Sequence, residues 1–171
     1  SIVRDELDPF YSSEGKIYPD IIENTFYNKS YSGGGKNALI DGNFASTDFR
    51  SPYWQGFEAN DCDLIIDLGK QTEIKKISSN FLENQGSWIF SPKKVKVAFS
   101  NDGKNFSKET IITEIEIKEN YEVEIKSFGK TFENLNTRYI HFVAESVKQC
   151  PSFHKGAGAN AHLFVDEITI E

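Results

Sequence analysis

The chain has few residues from which a catalytic or zinc centre could be built. His141, His154 and His162 do not form a His-x-x-x-His pair, and Cys62 and Cys150 do not form a Cys-x-x-Cys pair. No Gly-x-Ser-x-Gly segment is present to expose a nucleophilic serine. With 26 acidic residues some pair always falls close, so acids alone do not indicate a glycosidase. We therefore expect no enzymatic activity.

One adjacent acidic pair, Asp166-Glu167, lies in a predicted strand close to the end of the chain. Successive strand residues point to opposite faces of a sheet. We therefore expect these two carboxylates not to share a site.

Oxygen-bearing side chains are concentrated between Ala38 and Thr47, around an Asp-Gly turn. Calcium takes six to eight oxygen ligands from carboxylates and backbone carbonyls. A calcium ion would stabilise this loop without taking part in chemistry, and the alternative is an Asp-Gly turn with no metal. The predicted ligand residues are Ala38, Asp41, Asn43, Ser46 and Thr47.

Two loops, 83–91 and 148–160, combine aromatic side chains with amides, glycine and a histidine. A sugar site needs an aromatic face for the pyranose ring and a few fixed polar groups for its hydroxyls. The alternatives are that Trp88 closes one end of the fold and that His154 is an ordinary surface residue; we expect Trp54 to enter the core. The predicted ligand-binding residues are Asn84, Gln85, Trp88, Phe90, Phe153, His154, Lys155 and Asn160.

The elements that must position these loops are strands. Short runs alternate apolar and polar residues between turn residues, which indicates one buried and one solvated face. Gly69-Lys70 is predicted to separate the first two strands, and Asp102-Gly103 to form a hairpin turn. Residues 1–25 form a linker or edge segment, and residues 26–171 one all-β domain. The predicted strands are 63–68, 73–81, 93–99, 111–118, 121–126, 138–147 and 162–170.

Length and charge restrict the function classes. A chain of 171 residues fits one domain, and its net charge of −7 is spread without a basic face. We therefore expect no nucleic-acid partner, and binding to an anionic membrane is disfavoured. The two cysteines allow one disulfide but do not require it. No apolar run approaches the roughly 20 residues of a membrane helix.

Four segments in a fixed order carry a resemblance to a known family. They are 37–43 with 54–57, 64–69 with 74–77, 92–106, and 138–144 with 164–168. Together they resemble the coagulation-factor type C, or discoidin-like, domain and its carbohydrate-binding relatives of family 32. Segments 31–35, 87–92 and 150–158 are similar to the C-terminal module of Bacteroidetes β-N-acetylhexosaminidases.

The resemblance implies a discoidin-like jelly-roll β-sandwich, of the galactose-binding-domain-like type, with about eight main strands and ligand-binding loops at one end. It implies a structural calcium in the loop 38–47, completed by Glu167. The chain departs from the family at Thr47-Asp48-Phe49, where Thr-x-Trp is usual, which changes the group that points inward.

The implied function is a non-catalytic glycan-binding accessory module of a secreted, periplasmic or surface glycoside hydrolase. Its ligand would be a galactose or N-acetylhexosamine type of sugar, and its other partners would be the domains of the parent enzyme. The alternative is a structural or protein-docking domain without a sugar site, which burial of Trp88 and Phe90 would favour. A membrane-lipid binder is disfavoured by the acidic charge.

Overall fold

The computed structural model describes residues 8–171 and consists mainly of antiparallel strands. A two-stranded hairpin, β1 with β2, stands beside a seven-stranded hydrogen-bonded sheet that contains all the others. The strands are β1 (Phe10–Tyr11), β2 (Ile17–Tyr18), β3 (Asp20–Asn24), β4 (Gln55–Glu58), β5 (Cys62–Glu83), β6 (Lys94–Ser100), β7 (Thr110–Glu114), β8 (Glu124–Glu145) and β9 (His162–Ile170). The predicted all-β sandwich is confirmed.

Two strands of 22 residues, β5 and β8, pass through both layers of the sandwich. Their segments 62–67 and 139–144 pair with each other in the front layer, flanked by β3 on one side and by β6 and β7 on the other. Their segments 76–83 and 124–131 pair in the back layer, where β9 joins β5 and β4 joins β9. The two layers are therefore connected through continuous strands.

The expected turn at Gly69-Lys70 is wrong, because β5 continues through it with a register shift between Asp67 and Thr72. Gly69 has a φ of +84°, and a Cβ there would lie 2.5 Å from ring atoms of Phe10 and Tyr18. Glycine thus lets the strand bend while the β1–β2 hairpin packs directly on the backbone. The Gly69-Lys70 pattern, which predicts a turn between two strands, forms a bend within one strand.

The predicted strands 121–126 and 138–147 are likewise the two ends of β8 and its flanks. Its middle part, residues 127–136, is mostly exposed and so lacks apolar alternation. The strand at 162–170 is confirmed with the predicted bounds, and β6 and β7 lie within the segments predicted for them to within one residue. The predicted linker or edge segment contains β3, which pairs with β5; residues 1–7 lie outside the described part.

The main core fills the space between the layers with inward-facing residues of β5, β6, β8 and β9. Leu64 and Ile66 of β5 face Phe142 and Ile140 of β8 in register. Two smaller apolar clusters underlie the loops, one around Trp54 and Phe164 and one around Phe90.

Both cysteines are free thiols in buried positions. Cys62 lies in the main core and Cys150 in the cluster around Phe90, so they belong to different apolar clusters. Burial raises the pKa of the Cys62 thiol well above its usual value, which keeps it protonated. Within residues 8–171, no helix has the length and apolar character required to cross a membrane.

Candidate functional site: the loop end of the sandwich

A β-bulge in β9 brings Asp166 and Glu167 to the same side. Val165 pairs with Phe81 and Ile168 with Ser79, so two residues of β9 stand opposite one residue of β5. Such an insertion shifts the alternation of side chains by one position. The expectation that adjacent acids in this strand point to opposite faces is therefore wrong.

Both carboxylates bind the backbone of the predicted calcium loop. The Glu167 carboxylate accepts the Gly42 amide at 3.0 Å, and the Asp166 carboxylate accepts the Ala45 amide at 2.9 Å. Each residue is only 1% exposed. Burial raises the pKa of Asp166 to about 6, although its hydrogen bond from Ala45 acts in the opposite direction.

The oxygen atoms around this loop are of the type that calcium prefers, but within residues 8–171 no three His, Cys, Asp or Glu side chains are grouped where they could hold a metal ion. Asp166 Oδ1 is buried and, among the described residues, has no hydrogen-bond partner within 3.5 Å, although the Asn80 side chain is close enough to lower the pKa of Asp166. A buried carboxylate oxygen is costly unless it is paired or bound to a cation. Ala38 begins a buried 3-10 turn that ends at Ile40, directly before the exposed Asp41.

The other predicted ligand residues in the loop are arranged less favourably. The carbonyl of Ser46 accepts the Trp54 indole N–H at 2.9 Å, and the Ser46 hydroxyl accepts the Asp48 amide at 3.2 Å. The Asp41 carboxylate accepts the amide of Asn43, which is exposed, as is Thr47. Asp166 was expected not to share a site with Glu167. Its carboxylate nevertheless lies against the loop, beside that of the predicted ligand Glu167. Trp54 is buried, as expected.

The two predicted sugar loops do meet, and His154 joins them. Its Nε2 lies 2.6 Å from the Gln85 carbonyl oxygen, and its Nδ1 accepts the Gly156 amide at 2.9 Å. The ring is therefore the neutral tautomer with a proton on Nε2. Gln85 in turn donates to the Lys118 carbonyl and accepts the Asn120 amide, which attaches a third loop.

Burial removes three of the predicted ligand-binding residues from contact with a ligand. Gln85, Phe90 and His154 are all interior, and both polar members have their hydrogen bonds filled within the chain. His154 is thus neither a ligand contact nor the surface residue considered as its alternative. We call this joint between loops 83–91 and 148–160 the closed junction.

The remaining predicted ligand residues border the closed junction. Trp88 is partly buried, with Lys155 Nζ 4.9 Å from its ring centroid. A Cβ at Gly156 would lie 2.2 Å from the indole nitrogen, so glycine is required for this contact. Asn84 accepts the Ser87 amide within its own turn. Lys155 and Asn160 are exposed, and Phe153 is half-buried.

An open pocket of about 230 Å³ lies beside the closed junction. Its walls are aromatic: the Tyr31 ring lies 4.8 Å from Phe164 and meets His162 edge-on at 6.2 Å. Backbone hydrogen bonds join His162 to Trp88 and Phe90, so the pocket and the junction share a wall. We call it the aromatic pocket; its lining residues are Tyr31, Phe49, Ser87, Ile89, His162 and Phe164.

Polar groups linked to the lining residue His162 lie next to this pocket, and we call them its polar rim. His162 Nε2 lies 3.3 Å from a Glu58 carboxylate oxygen, and the Asn160 amide donates to the other oxygen at 3.5 Å. Glu58 and Asn160 are exposed, and the His162 side chain is partly exposed. Apolar walls with a carboxylate, an imidazole and an amide at the rim suit a single polar ring.

Sequence reasoning missed most of the aromatic pocket. Tyr31 was noted only in the segment 31–35 of the family resemblance, Phe49 only as a departure from the family pattern, and His162 only as part of a strand. Of its polar rim, only Asn160 was predicted. Four segments far apart in the chain form the pocket, and no local spacing of residues predicts that these segments meet.

The order of these elements and loops matches a known family over most of the chain. The F5/8 type C domain matches residues 23–156. The chain belongs to the F5/8 type C domain family. Comparison with curated proteins gave no match.

Solved structures with the same fold include three sugar-binding domains. The lectin-binding domain of lectinolysin, in complex with Lewis b, has a TM-score of 0.53 at 14% identity, covering 90% of this chain and 91% of that one. A Streptococcus pneumoniae fucose-binding module has a TM-score of 0.51 at 15% identity, with 86% coverage of each chain. The module SpX-3 of that organism has 0.54 at 12% identity, covering 90% and 93%.

Proposed function

We propose that this F5/8 type C domain is a non-catalytic glycan-binding module that holds one terminal sugar in the aromatic pocket. The pocket carries the proposal, because it combines aromatic walls with the polar rim Glu58, Asn160 and His162. Galactose, fucose and N-acetylhexosamine are the sugars proposed. The fold similarity to fucose-binding and lectin domains supports this choice.

The size and chemistry of the pocket agree with one sugar ring. Its volume lies below the roughly 300–1,000 Å³ of sites for drug-sized ligands. The apolar walls can cover one face of a pyranose, while the carboxylate of Glu58 accepts hydrogen bonds from hydroxyls. A weak site of this kind acts by proximity, because tethering raises the local concentration of substrate for a linked enzyme.

The parent enzyme in this proposal is a secreted, periplasmic or surface glycoside hydrolase. The resemblance of segments 87–92 and 150–158 to a hexosaminidase module supports a Bacteroidetes β-N-acetylhexosaminidase. The acidic charge of the domain agrees with partners other than nucleic acid or anionic membrane.

We further propose a structural calcium ion at the bulge of β9. Carbonyl groups of the loop 38–47, with Asp41, Asn43, Asp166 and Glu167, would hold it. The positive charge of calcium would balance the negative charge of the buried carboxylate, and the ion would keep the loop beside Phe49 in place. The buried, unmatched oxygen of Asp166 supports this site.

One observation favours the alternative of a docking domain. Phe90 is fully buried and Trp88 is half covered, which is the arrangement expected if loops 83–91 and 148–160 were purely structural. That arrangement argues against ligand contacts from the predicted residues of these two loops, whereas the aromatic pocket beside the loops remains open.

A glycan array separates the two functions. The purified chain is applied to glycans ending in galactose, fucose or N-acetylhexosamine, with and without a chelator, alongside Phe49→Ala and the control Tyr11→Ala. We expect Phe49→Ala to weaken binding about tenfold or more, as for a contact at the centre of a site. Tyr11 lies on the β1–β2 hairpin and its replacement should leave binding unchanged.

A folded chain that binds no glycan on the array would refute the glycan-binding function and favour docking. Binding that survives in Phe49→Ala would place the sugar elsewhere on the domain.

A further inference from the structure

The outer face of the front layer carries a depression around His141. His141 of β8 stands in register between Ile65 of β5 and Ala98 of β6, and Val143 follows it on the same face. The intervening residues, such as Phe142, belong to the core, so this set points outward. The short side chain of Ala98 leaves room beside the imidazole.

The depression extends into a groove across the sheet. Two cavities, of about 320 and 670 Å³, meet at His141 and share Asp63 and Phe106 as lining residues. One cavity continues over β6 towards Glu109, and the other continues over β3 at residues 22–25. Each is larger than the aromatic pocket, so the groove has room for more than one sugar ring.

His141 is oriented for ligand contact. Its Nε2 lies 2.6 Å from Asp63 Oδ1, and among the described residues its Nδ1 has no hydrogen-bond partner. Nδ1 accepts a hydrogen bond from a ligand hydroxyl when the imidazole is neutral and donates one when the imidazole is protonated. The side chain is 31% exposed, which leaves Nδ1 within reach of a hydroxyl group in the groove.

Phe106 supplies the aromatic surface. Its ring meets the imidazole of His141 edge-on at 5.7 Å and lines both cavities. The loop that carries it is held in place: Asp102 accepts the amides of Lys104 and Asn105 at 2.8 Å, and the Ser107 amide donates to the Phe99 carbonyl. A platform ordered in advance loses little entropy when a ligand binds.

The charge of the groove selects among ligands. Lys96 is the only lysine or arginine in the lining, and its ammonium group is matched by Glu109 at 2.8 Å and Glu145 at 3.3 Å. Acidic side chains dominate the remainder, and they repel carboxylate and sulfate groups while accepting hydrogen bonds from hydroxyls. The acidic residues of the groove are Glu23, Asp61, Asp63, Glu109 and Glu145.

We propose that this groove is a second glycan-binding site, separate from the aromatic pocket, which takes neutral oligosaccharides of two or more rings and rejects acidic ones. Phe106 covers the apolar face of one ring, while Asp63 accepts hydrogen bonds from its hydroxyls and His141 Nδ1 forms a hydrogen bond with one of them. The inference extends the proposed function from one terminal sugar to a longer chain bound on the sheet. It does not require the aromatic pocket to work.

The test compares four proteins on an array of neutral oligosaccharides printed beside their sialylated and sulfated forms. They are the unmodified chain, a pocket variant (Phe49→Ala with His162→Ala), a groove variant (Phe106→Ala) and the control Tyr11→Ala. Calorimetry with the best neutral oligosaccharide then gives the number bound per chain. We expect two sites in the unmodified chain and the control, and one in each of the other two.

In the pocket variant, binding should persist for neutral oligosaccharides, fall about tenfold or more on adding Phe106→Ala, and be absent for acidic forms. Asp63→Asn, which keeps the side-chain shape, should weaken the same binding and guards against a misfolded Phe106→Ala. In NMR titrations of the unmodified chain, the amides of His141 and Phe106 should shift.

One site per chain, lost in the pocket variant, would refute the groove and leave the proposed function intact. One site lost only in Phe106→Ala would refute the aromatic pocket and support the groove. Equal binding of acidic and neutral forms at the groove would also overturn the proposal, and no binding by any protein would overturn both.

Discussion

The closed junction and the aromatic pocket lie side by side and use the same kinds of residues, yet they differ in one property. In the closed junction, both ring nitrogens of His154 and both polar atoms of Gln85 are bonded within the chain. In the aromatic pocket, the His162 side chain lies against an exposed carboxylate and neighbouring rings. Histidine, amide and aromatic residues therefore indicate binding only where the fold leaves their hydrogen bonds unfilled.

The largest expected effect comes from opening the closed junction. His154→Ala removes a buried ring and two hydrogen bonds, which leaves the Gly156 amide without its acceptor and the Gln85 carbonyl with only the Trp88 amide, and should lower the free energy of unfolding by about 3 kcal/mol. For a domain of this size that is about 6–12 °C in Tm. Thermal and urea denaturation measure it, with the exposed Ser152→Ala as a control within about 0.5 kcal/mol. A stable His154→Ala chain would contradict the structural role.

At the bulge of β9, the buried Asp166 carboxylate has only some of its hydrogen bonds filled within the chain. Burial raises the pKa of Asp166 from 3.8 to about 6, so the folded state binds the proton more tightly than the unfolded state. Without calcium, the free energy of unfolding should therefore fall by roughly 2 kcal/mol as pH rises from about 4 to 7. Asp166→Asn should remove this dependence, as measured by urea denaturation at several pH values.

Stabilisation by calcium should depend on the same carboxylate. At neutral pH, calcium should raise the Tm of the unmodified chain and should do so much less in Asp166→Asn. An equal rise in both proteins would place the ion away from this carboxylate.

A smaller effect is expected from His162, which lies in the open region. His162→Ala should weaken sugar binding about tenfold, or about 1.4 kcal/mol, because it removes one wall and one rim group. Calorimetry with the best sugar from the array measures the affinity, and the Tm reports the fold. Loss of stability comparable to that of His154→Ala, with unchanged affinity, would erase the distinction between the two regions.

The smallest effect should come from Lys155, at the edge between the two regions. Its ammonium group lies over the Trp88 ring, and such an exposed contact contributes about 0.5–1 kcal/mol. Lys155→Ala should lower the free energy of unfolding by that amount, and Lys155→Arg should retain it. Denaturation in urea distinguishes them, and a loss above about 2 kcal/mol would show that the lysine has a further partner.

Apolar patterning in the chain was sufficient to predict strands. Segment 93–99 alternates apolar and polar residues, whereas 63–68 and 162–170 are apolar-rich runs, and 162–170 is largely buried on both faces. The order of four motifs then indicated the family. Local turn residues misled at Gly69, because a bend that carries β5 between two layers uses the same residue as a turn.

The site depended on contacts that no local pattern encodes. A one-residue bulge opposite Asn80 turned Asp166 and Glu167 towards one loop, although their adjacency predicted the reverse. Composition identified the two loops that meet at the end of the sandwich. It did not reveal that the His154 ring would form a hydrogen bond with the carbonyl of Gln85, 69 residues away in the chain.

What the sequence determined by itself is therefore the type of each element and the interior of the sandwich, because side-chain period and apolar burial act through neighbours along the chain. Only the tertiary structure decided which polar groups remain open to a ligand. That choice depends on hydrogen bonds between distant segments, and each bond formed within the chain removes a donor or acceptor from the surface.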